Sequence, residues 1–170
     1  THDQAEALAL SDRLAFMSAG RIEQIGTPVQ LYTKPSTPAV RDFLGRSVLL
    51  HGSIEETRSC NVTAIRLMDG TVINCEGPDH TAGAALNSKC IASIKPEDII
   101  IEDPTGSDSP SQNSLVATIQ TILFLGRSFE AAVLIRGIGI ISVILGRTKE
   151  WHEGQVLYLK LPPAKINIWK

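Results

Sequence analysis

The chain has 170 residues, of which 43% are hydrophobic and 20% charged, and its formal net charge is −2. These values are typical of a globular chain of one or two small domains. A slightly acidic chain without a run of like charges lacks the basic face that nucleic acid or an anionic membrane would require, and 5% aromatic residues leave few rings for base stacking. We therefore expect no nucleic-acid partner.

The three cysteines, Cys60, Cys75 and Cys90, form no CxxC pair. An odd number of separated cysteines is typical of reduced thiols. His51 and His80 show no spacing to them that a zinc site would require. The sequence thus predicts no metal site.

The first 45 residues predict a short α/β segment. Good helix formers precede Ser11-Asp12, alternating apolar residues flank the turn Ala19-Gly20, and Thr27-Pro28 has the composition of a helix start. In order, the predicted elements are a helix over Gln4–Leu10, a hairpin of Arg13–Ser18 and Arg21–Gly26, and two short helices over Pro28–Lys34 and Ser36–Leu44, followed by Gly45.

Residues 46–170 consist of short apolar runs rich in Ile, Val and Leu, which predict an all-β region. Asp69-Gly70 is a hairpin turn. The predicted strands are 49–56, 62–68, 71–75, 89–95 and 99–102, and then 115–124, 129–136, 138–145, 155–161 and 165–169.

Between the two sets of strands lies Asp103–Ser114, which has no large apolar residue and predicts a mobile loop. The flanking segments, 46–102 and 115–170, resemble a repeat. Gly70 and Gly137 lie 67 positions apart, and so do Pro96 and Pro163. Five short strands per segment with glycine corners predict tandem OB-like five-stranded barrels. The predicted fold is therefore mainly β, preceded by the short α/β segment.

The N-terminal residues carry the most specific pattern, T-H-D-Q-x-E-A-L-x-L-S-D-R-x-A-x-M-x-x-G-R-I-x-Q-x-G-T-P. This order resembles the end of the nucleotide-binding domain of ABC-transporter ATPases. The resemblance implies that His2 is the switch-loop histidine, which reaches the γ-phosphate of ATP and helps to position the attacking water. Considered alone, a histidine near a chain start is more often only solvated.

Two further patterns, Ser93-Ile-Lys-Pro-Glu-Asp-Ile99 and Leu123-Phe-Leu-Gly126, resemble the transport-associated OB (TOBE) domain of importer ATPases. The family more often has Arg where this chain has Lys95. Ser111–Leu115 also resembles the usual start of the second barrel, whereas Arg46-Ser47-Val48-Leu49 lacks the expected Asn. The resemblance thus implies a nucleotide-binding remnant at 1–45 and a TOBE regulatory domain at 46–170.

The sequence contains no GxxxxGK[ST] phosphate loop, no apolar strand ending in Mg²⁺-binding carboxylates and no ABC signature. We therefore expect a fragment of a longer ATPase that by itself holds no cofactor and is inactive. ATP and Mg²⁺ would bind the full-length parent.

The resemblance implies that the chain is the C-terminal regulatory and dimerisation part of an importer ATPase, which couples ATP hydrolysis to solute uptake. Its implied partners are a second copy and the transmembrane permease subunits, which would hold it peripherally at the cytoplasmic face of the plasma membrane. The alternative is a stand-alone tandem OB-like module that binds oxyanions such as molybdate. The transported solute does not follow from the sequence.

Overall fold

The computed structural model describes residues 4–58, 62–76, 85–102, 104 and 111–170, with only the backbone at 57 and 58. The chain separates into two compact units, Thr1–Ser47 and Val48–Lys170. His2, Cys60 and His80 lie outside the described residues, and so does most of the predicted loop Asp103–Ser114.

The first unit contains three short helices and one hairpin. Its elements are α1 (Gln4–Leu10), β1 (Leu14–Ser18), β2 (Arg21–Gly26), α2 (Pro28–Thr33) and α3 (Pro38–Phe43). Ala19 and Gly20 both have positive φ angles, 48° and 75°, which is the turn geometry that favours a two-residue hairpin. The α/β segment predicted from the sequence is present with its elements in the predicted order.

The second unit contains two five-stranded antiparallel sheets. The first sheet has the order β12-β6-β3-β4-β5, and the second has the order β10-β9-β8-β11-β7. The strands are β3 (Val48–Arg58), β4 (Val62–Leu67), β5 (Val72–Cys75), β6 (Lys89–Ile94), β7 (Ile100–Glu102), β8 (Ser114–Phe124), β9 (Phe129–Ile135), β10 (Gly139–Leu145), β11 (Val156–Lys160) and β12 (Asn167–Trp169). The mainly β, OB-like prediction is confirmed.

The last strand of each segment pairs in the sheet of the other segment. Strand β7, which ends the segment 46–102, pairs with β11, and β12, which ends the segment 115–170, pairs with β6. The sheets therefore do not follow the predicted division into 46–102 and 115–170. Strands of three residues have too few positions to encode a partner, so their place is decided by packing.

The exchange is symmetric in the sequence. Each exchanged strand comes after a 3₁₀ helix, Pro96–Asp98 before β7 and Pro163–Lys165 before β12. Asp98 and Lys165, which lie 67 positions apart, form an ion pair of 3.0 Å between Oδ1 and Nζ. Equivalent positions of the two segments thus meet directly, as expected at a pseudo-two-fold axis.

Both sheets contribute to one hydrophobic core. Its buried side chains come from alternate positions of the strands, for example Ile65 in β4, Val133 in β9 and Leu157 in β11, each fully buried. Alternation places the intervening residues on the outer faces of the sheets. Strand β12 adds Ile168 to this core, and its neighbour Trp169 is also buried, with its Nε1–H donating to Ser93 Oγ at 2.7 Å.

The described end of the predicted loop is held to the β unit by burial and hydrogen bonds. Asn113 is 5% exposed and adopts φ 62°. Its side-chain Oδ1 accepts from the Asn74 N–H at 2.8 Å, and its Nδ2 donates to the carbonyls of Asn74 at 2.7 Å and Leu161 at 3.1 Å. The prediction of a mobile loop was wrong at this end of the segment, because a polar residue can join a core when its amide completes the hydrogen bonds of the backbone.

Candidate functional site

The first unit carries the pattern that implied chemistry, but its only predicted site residue, His2, lies outside the described residues. Helix α1 begins two residues later, at Gln4, and has no buried residue. The described part of this unit therefore begins just after the predicted γ-phosphate contact and does not include it.

The hairpin is connected to α2 and α3 by side-chain hydrogen bonds. Gln24 donates from Nε2 to the Lys34 carbonyl at 2.9 Å and accepts from the Ser36 N–H at 2.8 Å. Thr37 Oγ1 donates to Glu23 Oε2 at 2.6 Å. The segment that connects α2 and α3 is thus held in one conformation by two adjacent residues of β2.

Helix α2 begins with a capping box. The Gln30 N–H donates to Thr27 Oγ1 at 3.2 Å, and the Thr27 N–H donates to Gln30 Oε1 at 2.9 Å. These two bonds pair N–H groups that otherwise have no partner at a helix start. The prediction of a helix start at Thr27-Pro28 is confirmed.

The small core of the first unit contains buried Leu31, Val40 and Leu44. Beside it is a cavity of about 400 Å³ lined by α1, β1, α2 and the end of α3. The cavity lining is mainly apolar, and Phe16 packs on Phe43 with ring centroids 5.0 Å apart. An apolar cavity without polar groups converging on it does not have the chemistry of a catalytic centre.

The second unit has a larger cleft, of about 560 Å³, on the outer face of its first sheet. The lining comes from three adjacent strands and the residue after the last strand: His51, Gly52 and Ser53 of β3, Arg66 and Leu67 of β4 with the adjoining Met68, Lys89, Cys90 and Ile91 of β6, and Lys170. We refer to it as the first-sheet cleft.

Arg66 has a fixed position in this cleft. It forms an ion pair with Glu55, and its Nη1 donates to the Gly70 carbonyl at 3.1 Å. The residues Val72, Arg66, Ser53 and Lys89 face one another in register across four strands. We call these four residues the basic row.

The equivalent row of the second sheet consists of Ile140, Leu134, Thr118 and Val156, which are also in register across four strands. We call it the apolar row. Ile140 is 65% exposed, and Leu134 and Val156 are each 41% exposed. The two sheets share one strand order but present different chemistry on their outer faces.

The described residues contain no group of three or more His, Cys, Asp or Glu side chains arranged to hold a metal ion. Cys75 and Cys90 are buried thiols that are not joined in a disulfide. Lys95 is 8% exposed and directly precedes the first 3₁₀ helix. In the part of the chain that is described, no helix is long and apolar enough to cross a membrane.

Comparison of the sequence with known proteins gives three results. The TOBE domain model matches residues 92–168. The whole chain is 30% identical over 170 residues to the spermidine/putrescine import ATP-binding protein PotA of Acetivibrio thermocellus. Over 126 residues, or 74% of the chain, it is 37% identical to the sulfate/thiosulfate import ATP-binding protein CysA of Nitrosomonas europaea.

The chain belongs to the TOBE-bearing family of import ATP-binding proteins. The resemblance inferred from the THDQ and SIKPEDI patterns is thereby confirmed. The chain spans 43% of the length of the first of these relatives and 31% of the second. The TOBE match includes both 3₁₀ helices and the first two residues of β12, so the exchanged C-terminal strand belongs to the domain.

A solved structure of the cytoplasmic molybdate-binding protein ModG, with molybdate bound, is similar in fold. The TM-score is 0.60 at 15% identity, and the match covers 72% of this chain and 94% of that one. Identity this low supports a shared fold and carries no information on a shared ligand.

Sequence reasoning missed the first-sheet cleft and the role of Asn113. Outward polar residues at alternate positions of a strand are also typical of an ordinary solvated face, so the basic row gave no distinct signal. Asn113 lay within a recognised family pattern, but its contacts join residues 39 and 48 positions away.

Proposed function

We propose that this chain is the C-terminal regulatory part of the ATP-hydrolysing subunit of an ABC importer, which couples ATP binding and hydrolysis to solute uptake. The observation that carries the proposal is the identity of 30% over all 170 residues with an import ATP-binding protein. The TOBE match within the β unit supports the same assignment independently of the N-terminal pattern.

Within this proposal, residues 1–45 complete the nucleotide-binding domain and residues 46–170 form the regulatory domain. His2 contacts the γ-phosphate in the parent, where ATP and Mg²⁺ are held by segments outside this chain. A histidine at that place acts on charge that develops in the transition state, so it contributes more to turnover than to nucleotide affinity.

The proposed partners are the transmembrane permease subunits and a second copy of the chain. The permease subunits hold the parent peripherally at the cytoplasmic face of the plasma membrane. The relatives' names support an import role. They differ in the solute that they state, so no solute is assigned to this chain.

We assign the contact between two copies to the outer face of the second sheet. The apolar row lies there, and the β8–β9 hairpin adds Leu123, Phe124 and Leu125, which are 60%, 57% and 50% exposed. Exposed apolar side chains of this kind mark an association surface. A biological two-fold contact would bury upwards of about 1,000 Å² in total.

Sedimentation equilibrium of the chain at micromolar concentration tests this assignment. We expect a dimer, and Ile140→Asp should raise its dissociation constant at least about tenfold, because it places a charge in an apolar contact. The matched control is Val72→Asp, at the equivalent position of the basic row, which should leave the dimer unchanged. A strictly monomeric wild-type chain would contradict the dimer proposal.

The alternative function, a stand-alone oxyanion-binding module, has support only from the fold it shares with ModG. The fold similarity covers 72% of the chain, whereas the import ATP-binding relative matches its whole length. The ATPase assignment therefore accounts for more of the sequence.

A further inference from the structure

The first-sheet cleft has an unusual charge distribution for an acidic chain. Its described lining includes three basic side chains, Arg66, Lys89 and Lys170, together with His51, and it includes no carboxylate side chain. Charges of one sign within a concave surface increase the local concentration of the opposite ion. The cleft is therefore suited to an anion.

The basic groups of the cleft are not equally engaged. Arg66 is held by Glu55 and the Gly70 carbonyl, so part of its charge is compensated. Lys89, directly opposite Ser53 in the strand pairing, forms no ion pair with any residue that the structure describes. The cleft thus has an oriented guanidinium donor and, on the other side of Ser53, an ammonium group that no described carboxylate holds in place.

The cleft also has an apolar side. Met68, which is 73% exposed, and half-buried Ile91 lie on the same outer face as the basic groups. Methionine adapts its shape to apolar ligand groups better than branched side chains do. A volume of about 560 Å³ falls within the range of small-molecule sites.

Gly52 lies in the middle of the cleft lining, and its Cβ position faces the core rather than the cleft. A Cβ at this position would lie 2.5 Å from the Arg66 carbonyl oxygen and 2.7 Å from Ile65 Cγ2, so only glycine permits the observed approach of β3 to β4. The strands are thus close at the point where Arg66 and Lys89 flank Ser53.

We propose that the first-sheet cleft binds a small organic anion, namely a phosphate or carboxylate group attached to a short apolar group. The anionic group contacts Lys89 and Arg66, and the apolar group contacts Met68 and Ile91. The second sheet offers no equivalent site, because Leu134 and Val156 occupy the positions of Arg66 and Lys89. This site is independent of ATP hydrolysis and of the proposed contact between two copies.

Amide-resolved NMR titration of the 170-residue chain tests the site with four probes. Phenyl phosphate and benzoate carry both features, inorganic phosphate carries only the anionic group, and benzyl alcohol carries only the apolar group. We expect saturable shifts at the amides of Gly52, Ser53 and Ile91 with at least one of the first two probes. That probe should bind about tenfold or more tightly than either single-feature probe.

The relative affinities of phenyl phosphate and benzoate identify the anionic group that the site prefers. Lack of saturable shifts at these amides for both probes, up to about 10 mM, would overturn the proposal. Shifts confined to the second sheet would also overturn it.

A charge reversal identifies the contact with the anion. Lys89→Glu should weaken binding of the better probe about tenfold, since repulsion replaces attraction in a partly exposed site. Arg127→Glu, in the exposed turn of the β8–β9 hairpin, makes the same change in net charge and should have less than about a twofold effect. Equal weakening by the two variants would reduce the effect to net charge and overturn the assigned site.

Lys89→Gln provides a milder second variant, with an expected weakening of about two- to fivefold. Dispersion of the amide spectrum shows directly whether each variant is folded. A folded Lys89→Gln variant that binds the probe as tightly as the wild type would remove Lys89 from the site.

Discussion

The two sheets of the β unit have the same strand order, yet the outer faces of their equivalent rows differ. The inward positions of both sheets hold Ile, Val, Leu and Ala that share one core. The outward positions are basic in one row and apolar in the other. The inner faces of the two sheets pack in one core, so a residue change on one inner face affects the packing of the other. The outer faces do not share this constraint, so each can have its own function.

The largest expected effect on stability comes from comparing an inward-facing with an outward-facing residue of β11. Leu157 is fully buried and its neighbour Val156 is 41% exposed on the apolar row. Leu157→Ala should lower the free energy of unfolding by about 3–5 kcal/mol, because it leaves a cavity in a core shared by both sheets. Val156→Ala should cost less than about 1 kcal/mol.

Urea denaturation with detection by tryptophan fluorescence measures both changes, since buried Trp169 reports on the first sheet. The account of a shared core predicts a single transition in which both sheets unfold together. Two separate transitions would indicate that the sheets have independent cores.

The second prediction concerns an asymmetry between the halves. Asn113 bridges Asn74 and Leu161, whereas the position 67 residues earlier is Arg46. Asn113→Ala removes the three side-chain hydrogen bonds and places an alanine in the left-handed backbone conformation at φ 62°. We expect a loss of about 2–4 kcal/mol in the free energy of unfolding.

Asn113→Gly serves as the control for backbone strain, since glycine adopts a left-handed conformation without cost. It should recover about 1 kcal/mol relative to the alanine variant in the same denaturation experiment. Full recovery by glycine would show that the amide bridge contributes little and would contradict its assigned role.

The third prediction compares equivalent turns of the two sheets. Gly70 and Gly137 have φ angles of 90° and 81°, but only at Gly137 would an added Cβ meet a neighbour, Asp69 Cβ at 2.8 Å. Both alanine variants should cost about 1 kcal/mol from the left-handed backbone. Gly137→Ala should cost about 1 kcal/mol more because the turns of the two sheets touch there.

Thermal unfolding of the two alanine variants gives the difference directly. The two variants are well matched because the residue change and the backbone conformation are nearly the same at the two positions. Equal melting temperatures for the two variants would contradict the close approach of the two turns at Gly137 and Asp69.

Much of this architecture could be predicted from the sequence because it is local. The alternation around Ala19-Gly20, the Thr27-Pro28 start of α2 and the Asp69-Gly70 turn each depend on neighbouring residues. The exchange of β7 and β12 could not, because Ile100–Glu102 and Asn167–Trp169 are both short and either sheet offers an antiparallel edge. Which sheet each of these strands joins depends on the direction in which the preceding 3₁₀ helix leads the chain.

Prediction of the candidate sites has the same limit: patterns of neighbouring residues can be recognised in the sequence, but contacts between distant residues cannot. His2 was proposed as a site residue because a long ordered pattern surrounds it, whereas the first-sheet cleft depends on residues from three strands brought together by pairing. Arg66 and Lys89 are 23 positions apart, and both face Ser53 only through the register of β3 with β4 and β6. Sequence periodicity predicts a face but does not predict which strands share it.

The central claim, that this chain completes an importer ATPase, is tested most directly by His2→Ala in the full-length parent. We predict that kcat for ATP hydrolysis falls about 100-fold or more while the Kd for ATP changes less than about threefold, since the role proposed for this histidine is at the transferred phosphoryl group. The isolated chain serves as the baseline and should show no turnover above buffer. An unchanged kcat in the His2→Ala parent, or turnover by the isolated chain, would contradict the account.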